Sequence, residues 1–168
     1  EWNGGCGGAI LNYRELTVTG GEFTRNSACY GAALYHQGGT AGNMTVSGTN
    51  FTSNTAEWGG GAICNCWGTL TVAGGEFTGN TVTTGRDGGA IANWDTATVT
   101  DAAFSGNEAL KGGAISNTGS TLTVTDATFS GNEAGEGGAI WNQNDYGDGT
   151  ATLTNCIIAA ARRPTWLP

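Results

Sequence analysis

Short stretches in which apolar and polar residues alternate recur along the whole chain. Each stretch has an apolar residue, a Thr and a second apolar residue, and the copies begin at Leu16, Met44, Leu70, Ala97, Leu122 and Ala151. Alternation with a period of two residues predicts strands that bury one face and expose the other. Because no long stretch with a helical period separates these strands, the pattern favours an all-β protein.

Two further strings occupy the segments between these strands. The string Gly-Gly-Ala-Ile begins at Gly7, Gly60, Gly88, Gly112 and Gly137, and residues 31–34 carry a variant of it. The second string is Phe-x-x-Asn, and it contains all the Phe residues of the chain, which are Phe23, Phe51, Phe77, Phe104 and Phe129. The branched residues that end the first string are 24–29 residues apart. The chain therefore consists of about six similar repeats.

A repeat of this length holds two or three short strands joined by corners rich in Gly and Asn, and it cannot bury its apolar side alone. Stacking the repeats pairs each strand with its copies above and below and buries a continuous core. Parallel crossovers favour one hand. We therefore predict a right-handed parallel β-helix, or solenoid, of about six coils over residues 1–158, with the Phe residues forming a ladder in its core.

Two columns of Asn mark the predicted corners. One is Asn26, Asn54, Asn80, Asn107 and Asn132, and the other is Asn12, Asn65, Asn93, Asn117 and Asn142. Stacked Asn side chains can hydrogen-bond along the axis and tolerate a left-handed backbone. His36, the only His, replaces Asn in the second column, so we interpret it as a corner variant and not as a catalytic group.

The last repeat departs from the pattern. Ile157 is assigned to the Phe position and Ala160 to the Asn position, and residues 159–168 are predicted to be an irregular tail that acts as a cap or linker or is an artefact of gene prediction. Trp166 and Leu167 could fold over the last coil, and Trp2 and Cys6 could shield the first. This is too little material to cap both ends, so we expect either a piece of a longer solenoid or a subunit that stacks end to end.

Composition narrows the range of functions. The net charge is −8, from 14 acidic against 6 basic residues, which disfavours binding to nucleic acid and to anionic membranes. No apolar run approaches the length of a membrane span, so membrane insertion is not expected. The cysteines are odd in number and too few for a disulfide scaffold.

The paired strings Gly-Gly-Ala-Ile and Phe-x-x-Asn resemble the repeat of chlamydial polymorphic outer membrane proteins and related bacterial surface proteins. The resemblance covers roughly residues 4–158. It implies a β-helix that is displayed outside the cell, at the cell surface or in an extracellular matrix, and that serves adhesion or surface architecture. Host or matrix surfaces, and other copies of the chain, are the expected partners.

Candidate chemistry is sparse. A single His and scattered carboxylates assemble no nucleophile–base pair, so no catalytic residue is predicted and the protein is not expected to be an enzyme. Cys64 and Cys66 lack a second Cys pair for zinc, and no cofactor is expected. The stretch 142–149 offers oxygen atoms to calcium, although a long corner explains it equally well. Cys6 and Cys29 lie one coil apart, which predicts either a disulfide clip or two free thiols.

The central strands place Thr at outward positions. The predicted array is Thr17, Thr19, Thr45, Ser47, Thr71, Thr98, Thr100, Thr123, Thr125, Thr152 and Thr154. It resembles the flat Thr-x-Thr faces of β-helical antifreeze proteins, and ice binding is therefore an alternative function. Thr is also a favoured residue on exposed strands, which explains the array without a ligand.

Aromatic residues follow most Gly-Gly-Ala-Ile corners. They are Tyr13, Tyr35, Trp67, Trp94 and Trp141, and all are predicted to lie outside the core or at its edge. Rings along one edge can stack on sugars or anchor a partner, so a glycan-binding edge is a second alternative. Packing of the rings against the corners is the competing interpretation.

Overall fold

The structure, a computed structural model, describes residues 5–39, 42–85, 87–144 and 149–163. In this part of the chain every strand pairing is parallel, and the strands build four sheets that run along one axis. Each strand pairs with the strand at the same position in the repeat before and the repeat after. The chain is therefore a parallel β-solenoid, as the repeats predict.

Three of the sheets have six strands. The GGAI sheet, which follows the Gly-Gly-Ala-Ile corners, contains β1 (Ile10–Asn12), β5 (Leu34–Gln37), β9 (Ile63–Trp67), β13 (Ile91–Asn93), β17 (Ile115–Thr118) and β21 (Ile140–Gln143). The threonine sheet contains β2 (Leu16–Thr19), β6 (Asn43–Ser47), β10 (Thr69–Ala73), β14 (Thr96–Thr100), β18 (Thr121–Thr125) and β22 (Thr150–Thr154). The phenylalanine sheet contains β3 (Glu22–Thr24), β7 (Asn50–Thr52), β11 (Glu76–Thr78), β15 (Ala103–Ser105), β19 (Thr128–Ser130) and β23 (Ile157–Ala159).

A fourth sheet completes each turn. It contains β4 (Ser27–Tyr30), β8 (Thr55–Gly59), β12 (Thr81–Val82), β16 (Glu108–Lys111) and β20 (Glu133–Glu136). The described residues thus form about five complete turns, and β21 to β23 begin a sixth, where the sequence predicted about six coils. Each turn has four strands instead of the predicted two or three. The additional strand is the segment before each Gly-Gly-Ala-Ile corner, which is too short for an alternating pattern to be recognised in the sequence.

The first Gly of each Gly-Gly-Ala-Ile corner has a left-handed backbone. In Gly60, φ is +63°, and a Cβ there would lie 2.2 Å from the carbonyl oxygen of Ile63. At the next position, Gly61, a Cβ would lie 2.0 Å from the carbonyl oxygen of Gly89 in the following turn. Both contacts are far inside van der Waals distance, so this corner can close and stack only when these positions lack side chains.

The core is a column of side chains that repeats at every turn. The rings of Phe23, Phe51, Phe77, Phe104 and Phe129 stack with centroid separations between 4.7 and 5.2 Å and interplanar angles of 14° or less. The last four of these side chains are buried, with at most 1% of their surface exposed, and Phe23 in the first turn is half-buried. The Phe residues therefore form one continuous ladder in the core.

The Asn of each Phe-x-x-Asn string is part of a hydrogen-bond ladder. The Nδ2 atom of Asn107 donates to the carbonyl oxygen of Phe77 at 2.8 Å and to Oδ1 of Asn132 at 2.9 Å. The backbone N–H of Asn107 donates to the same Oδ1 at 3.0 Å. Equivalent bonds link the column of Asn26, Asn54, Asn80, Asn107 and Asn132. Each side chain thereby satisfies backbone groups that the corner would otherwise leave unpaired inside the solenoid.

The second Asn column, at the end of the strands of the GGAI sheet, is linked less completely. Asn93 donates to Asn117 at 2.7 Å, and Asn65 donates to Asn93 at 2.8 Å. His36 occupies the same column, is fully buried, and shares a hydrogen bond of 2.8 Å between its Nδ1 atom and Nδ2 of Asn12. His36 is thus a corner residue within the ladder.

The sixth turn keeps the repeat register further than the sequence predicted. Ile158, and not Ile157, pairs with Phe129, and Arg162 forms a bridge with Glu133. Ala160 has a φ of 51°, like Gly131 in the preceding turn, so Ala161 takes the Asn position. The sequence-based assignment of Ile157 to the Phe position and of Ala160 to the Asn position is therefore wrong by one residue. The last repeat lacks the Phe that marks the register in the other repeats. Trp2, Trp166 and Leu167 lie outside the described residues, and the division at residue 158 stays a prediction.

Candidate functional site

The outer face of the threonine sheet carries rows of side chains in register. The first row is Thr17, Thr45, Thr71, Thr98, Thr123 and Thr152, one Thr from each strand. The second row is Thr19, Ser47, Ala73, Thr100, Thr125 and Thr154. All of these side chains are half-buried or exposed. The sheet therefore presents two regular rows, about 6.7 Å apart, with a repeat of about 4.8 Å along each row.

A third row lies beside these two, at the start of each strand. It consists of Asn43, Thr69, Thr96, Thr121 and Thr150. The sequence reasoning missed it because only the Thr residues between and after the core positions were considered, although the same alternation predicts an outward residue before them. In most strands of the threonine sheet, the regular outer face therefore consists of three side-chain rows.

The five aromatic residues predicted to form an edge do not share one column. Tyr35 and Trp141 lie on the outer face of the GGAI sheet. On the adjacent strands, Tyr35 is next to Cys64 and Trp141 is next to Ser116. The side chains of Tyr13 and Trp67 are each 60% exposed. The predicted edge is therefore divided between separate parts of the surface, and a glycan-binding role stays a prediction.

Trp141 is engaged by charged and polar neighbours. The Nζ atom of Lys111 lies 4.0 Å from the ring centroid of Trp141 and donates to Oε1 of Gln143 at 3.3 Å. The Nε1–H of Trp141 donates to Oε2 of Glu136 at 3.2 Å. The contact between the ammonium and the ring is a cation–π interaction, which leaves one face of this ring unavailable to a sugar.

The middle of the GGAI sheet has a small second core on its outer face. Cys64 and Ala92 are completely buried there, although they point away from the main core, and Cys66 is only 5% exposed. Tyr30, Tyr35 and Trp94 pack against them. The ring of Tyr30 lies 5.6 Å from that of Trp94 in an edge-on geometry and 6.5 Å from that of Tyr35. We call these six residues the aromatic corner. Tyr30 was not among the predicted site residues because it precedes the corner string.

The electrostatics of the aromatic corner follow from its burial. Burial raises the pKa of Cys64 and of Tyr35, because it weakens the solvation of their charged forms. Hydrogen bonds from Cys64 and Tyr35 lower the pKa of Cys66, because they stabilise its thiolate. Cys66 is therefore the thiol of the pair that ionises first.

Cys6 and Cys29, for which the sequence predicts either a disulfide or two free thiols, are not bonded to each other in this structure. Cys6 pairs with Tyr30, one residue beyond Cys29, and neighbouring residues of a strand point to opposite faces. The Sγ atom of Cys29 instead donates to Oε2 of Glu57 at 3.2 Å, and this hydrogen bond raises the pKa of the thiol. The two side chains thus face different surroundings, and the disulfide between them stays a prediction.

Comparison with protein families gives three matches to one repeat. Residues 48–66, 101–118 and 126–143 each match the model of the Chlamydia polymorphic membrane protein repeat. Three stretches of the chain are therefore similar to the Chlamydia polymorphic membrane protein repeat. No curated protein and no solved structure gives a significant match to the chain.

The matched stretches show which part of the turn this polymorphic membrane protein repeat specifies. Each begins near a Phe-x-x-Asn string and ends just after the next Gly-Gly-Ala-Ile corner. They include β7, β15 and β19 but not the threonine strands β10, β14 and β18. The repeat family and the solenoid fold together fit a surface repeat protein, while the threonine face lies outside the matched stretches.

Sites for metals and membranes can be assessed only in the described part of the chain. There, no group of three or more His, Cys, Asp or Glu side chains is placed to hold a metal ion. The predicted calcium stretch includes Asp145 and Asp148, which lie outside the described residues, so that prediction stays open. Among the described residues, no helix has the length and hydropathy that crossing a bilayer requires.

Proposed function

We propose that this chain is a non-enzymatic, extracellular or cell-surface module whose solenoid serves as a structural or adhesive rod and stacks end to end with further copies. The repeat family supports a surface role, and the fold supports a rod. Stacked rings and Asn ladders run along the axis, so neighbouring turns are joined by side chains as well as by sheet hydrogen bonds. Such a rod can display its sides toward a host or matrix surface.

The exposed apolar side chains of the sixth turn carry the stacking proposal. Ile157 and Ile158 are 64% and 49% exposed, and Leu153 is 40% exposed. Ile158 stands at the Phe position, where Phe129 of the preceding turn is only 1% exposed. Within the described residues, β23 pairs on one edge with β19 and on the other edge with no strand.

A second copy of the chain is the occupant that suits this surface. The first turn presents β1, β2 and β3 with the same strand direction and the same register, because it is a copy of the same repeat. It could follow β21 to β23 as the second turn follows the first. The contact is head to tail and does not close, so it would generate filaments. The net charge of −8 opposes lateral association of such filaments.

Sedimentation velocity over a range of concentrations, with electron microscopy of the same samples, tests this function. We expect rods that lengthen in steps as the concentration rises. Ile158→Lys should shift the protein to monomer, because a charge then lies at the end of the solenoid. Trp67→Lys is the control, since it replaces a large apolar side chain that is even more exposed, at 60%, but lies on the flank, and it should leave association unchanged. Stacking would be refuted if the wild type stayed monomeric at every concentration, or if both variants lost association to the same extent.

Ice binding is a second candidate, favoured by the unbroken first row of six Thr on the threonine sheet. Regular hydroxyl and methyl groups on a flat sheet can match a lattice, and this face is not part of the matched repeat stretches. Thermal hysteresis and ice shaping measure it. Thr98→Tyr should abolish both effects, while Thr52→Tyr, on the phenylalanine sheet, should abolish neither. Absence of ice shaping in the wild type would leave the rows as strand surface alone.

A further inference from the structure

The aromatic corner contains two thiols in contact. The Sγ atoms of Cys64 and Cys66 lie 3.4 Å apart, within sulfur hydrogen-bonding distance, and neither cysteine is in a disulfide. Both side chains project to the same side of β9 because they are two residues apart on a strand. Their packing against Tyr30, Tyr35 and Trp94 holds them there, and 5% of the Cys66 surface remains exposed.

The strand β9, which carries the two cysteines, contains an irregularity at Cys66. His36 pairs with Asn65, and Gln37 pairs with Trp67, so Cys66 is the extra residue of a β-bulge. Two residues of a regular strand span about 6.7 Å, near the upper limit of the Cα separation that a disulfide can bridge. A bulge bends the strand and increases its twist, and here the two sulfur atoms lie in contact. The geometry therefore allows a disulfide between these residues, although a strained one.

We propose that Cys64 and Cys66 form a redox-active dithiol, which small-molecule disulfides oxidise to an intrastrand disulfide within the aromatic corner. The substrate class is a linear disulfide such as that of glutathione, and its two thiols are the products. The contact of 3.4 Å between their sulfur atoms is the observation that singles out this pair. Extracellular surroundings, where such disulfides persist, suit this reaction.

The chemistry proceeds as two exchange steps. The Cys66 thiolate attacks one sulfur of the small-molecule disulfide, forms a mixed disulfide and releases the first thiolate. Cys64 then gives up its proton and attacks Sγ of Cys66, which forms the protein disulfide and releases the second thiolate. Two electrons pass from the cysteines to the reagent, and the two thiol protons end on the released thiols. The hydrogen bonds that lower the pKa of Cys66 favour it as the attacking group.

Differential alkylation of the full-length chain in glutathione redox buffers tests the proposal. Samples are quenched in acid, unfolded in denaturant and alkylated, so that only disulfide-bonded cysteines escape labelling. After reduction they receive a second label, and mass spectrometry locates it. In excess oxidised glutathione we expect Cys64 and Cys66 to be protected together, with the second label, while Cys156 is mostly alkylated by the first. Excess reduced glutathione should reverse this, because a strained disulfide is readily reduced.

Three variants separate the outcomes. Cys64→Ala should eliminate the protected pair and leave at most a glutathione adduct on Cys66. Tyr35→Phe should retain the pairing but slow oxidation several-fold at neutral pH, because it removes a donor to the thiolate. Cys156→Ala, in the last turn, should change neither result. Full alkylation of Cys64 and Cys66 in every redox buffer would overturn the proposal, and so would a disulfide from either residue to Cys6. Thermal unfolding of each variant shows that it is folded.

Discussion

The hydrogen-bond ladder of the GGAI sheet is interrupted between His36 and Asn65. Asn65 donates to Asn93, yet its Oδ1 atom and the Nε2 atom of His36 are buried and have no hydrogen-bond partner among the described residues. His36 and Asn65 are aligned across the strand pair β5 and β9. At the same position in the later turns, an Asn–Asn hydrogen bond of 2.7–2.8 Å connects neighbouring strands. Two unpaired polar atoms in one interior position should destabilise the solenoid there.

Replacing His36 with Asn should therefore stabilise the protein. An Asn side chain can donate to Oδ1 of Asn65 and accept from Asn12, which continues the ladder. We expect the free energy of unfolding to rise by about 1–3 kcal/mol, the usual cost of a buried unsatisfied group. Urea denaturation of wild type and His36→Asn measures this. His36→Ala serves as the control, because it removes the partner of Asn12 across the turns and leaves Oδ1 of Asn65 without a donor. A gain there as large as for Asn would disprove the explanation.

Stability should also depend on pH through His36. Burial lowers the pKa of His36 below its ordinary value of about 6.5, so the unfolded chain binds the proton more tightly than the folded chain. The free energy of unfolding should be unaffected by His36 above about pH 6.5 and should decrease as the pH falls below it, until the folded pKa is reached. In His36→Asn the decrease that begins near pH 6.5 should disappear. If the free energy of unfolding of the variant decreased with pH as in the wild type, the decrease would arise from carboxylates and not from His36.

The first Asn column should be essential to folding. The Asn80 side chain donates to the carbonyl of Phe51 and to Asn107, and its Oδ1 accepts from the N–H and Nδ2 of Asn54. Asn80→Ala leaves several of these buried groups without partners, so we expect a loss of at least about 3 kcal/mol in chemical denaturation. Asn43→Ala removes a surface hydrogen bond to Glu15 and should cost under about 1 kcal/mol. Similar losses would contradict the ladder.

Two glycines with the same backbone conformation should respond differently to substitution. Gly60 and Gly106 have φ values of +63° and +59°, but a Cβ on Gly106 would meet no atom within 4 Å. Gly106→Ala should therefore cost about 1–2 kcal/mol for the left-handed backbone alone. Gly60→Ala adds a clash with backbone, and its melting temperature should fall much further. Equal melting temperatures would mean that the Gly-Gly-Ala-Ile corner is not closed as described.

The repeat strings were sufficient to predict the parallel solenoid, because each string has one structural cause. The Phe and Asn positions recur because their side chains form ladders along the axis. Gly is required at position 60 because a Cβ there would clash with the carbonyl oxygen of Ile63. The aromatic corner could not be predicted in this way. Cys64 occupies an outward position that alternation assigns to solvent, and its burial depends on Tyr30, which comes from another strand of an earlier turn.

Irregular positions account for the other differences between prediction and structure. The bulge at Cys66 adds a residue that no repeat string marks, and the fourth strand of each turn is too short for its alternation to be recognised. The end of the solenoid was assigned one residue early, at Ile157 instead of Ile158, because the last repeat lacks Phe. Periodicity therefore predicts what every turn shares, and it fails where a single turn differs.

Comparison of Phe77→Ala with Thr71→Ala tests most directly the claim that stacked turns divide the chain into an inner ladder and an outer face. Phe77 is fully buried between Phe51 and Phe104, whereas Thr71 lies on the outer face of the same turn. In guanidinium chloride unfolding followed by circular dichroism, we predict a loss of about 3–5 kcal/mol for Phe77→Ala and of less than about 1 kcal/mol for Thr71→Ala. Comparable losses at the two positions, or a helical spectrum of the native protein, would contradict the account.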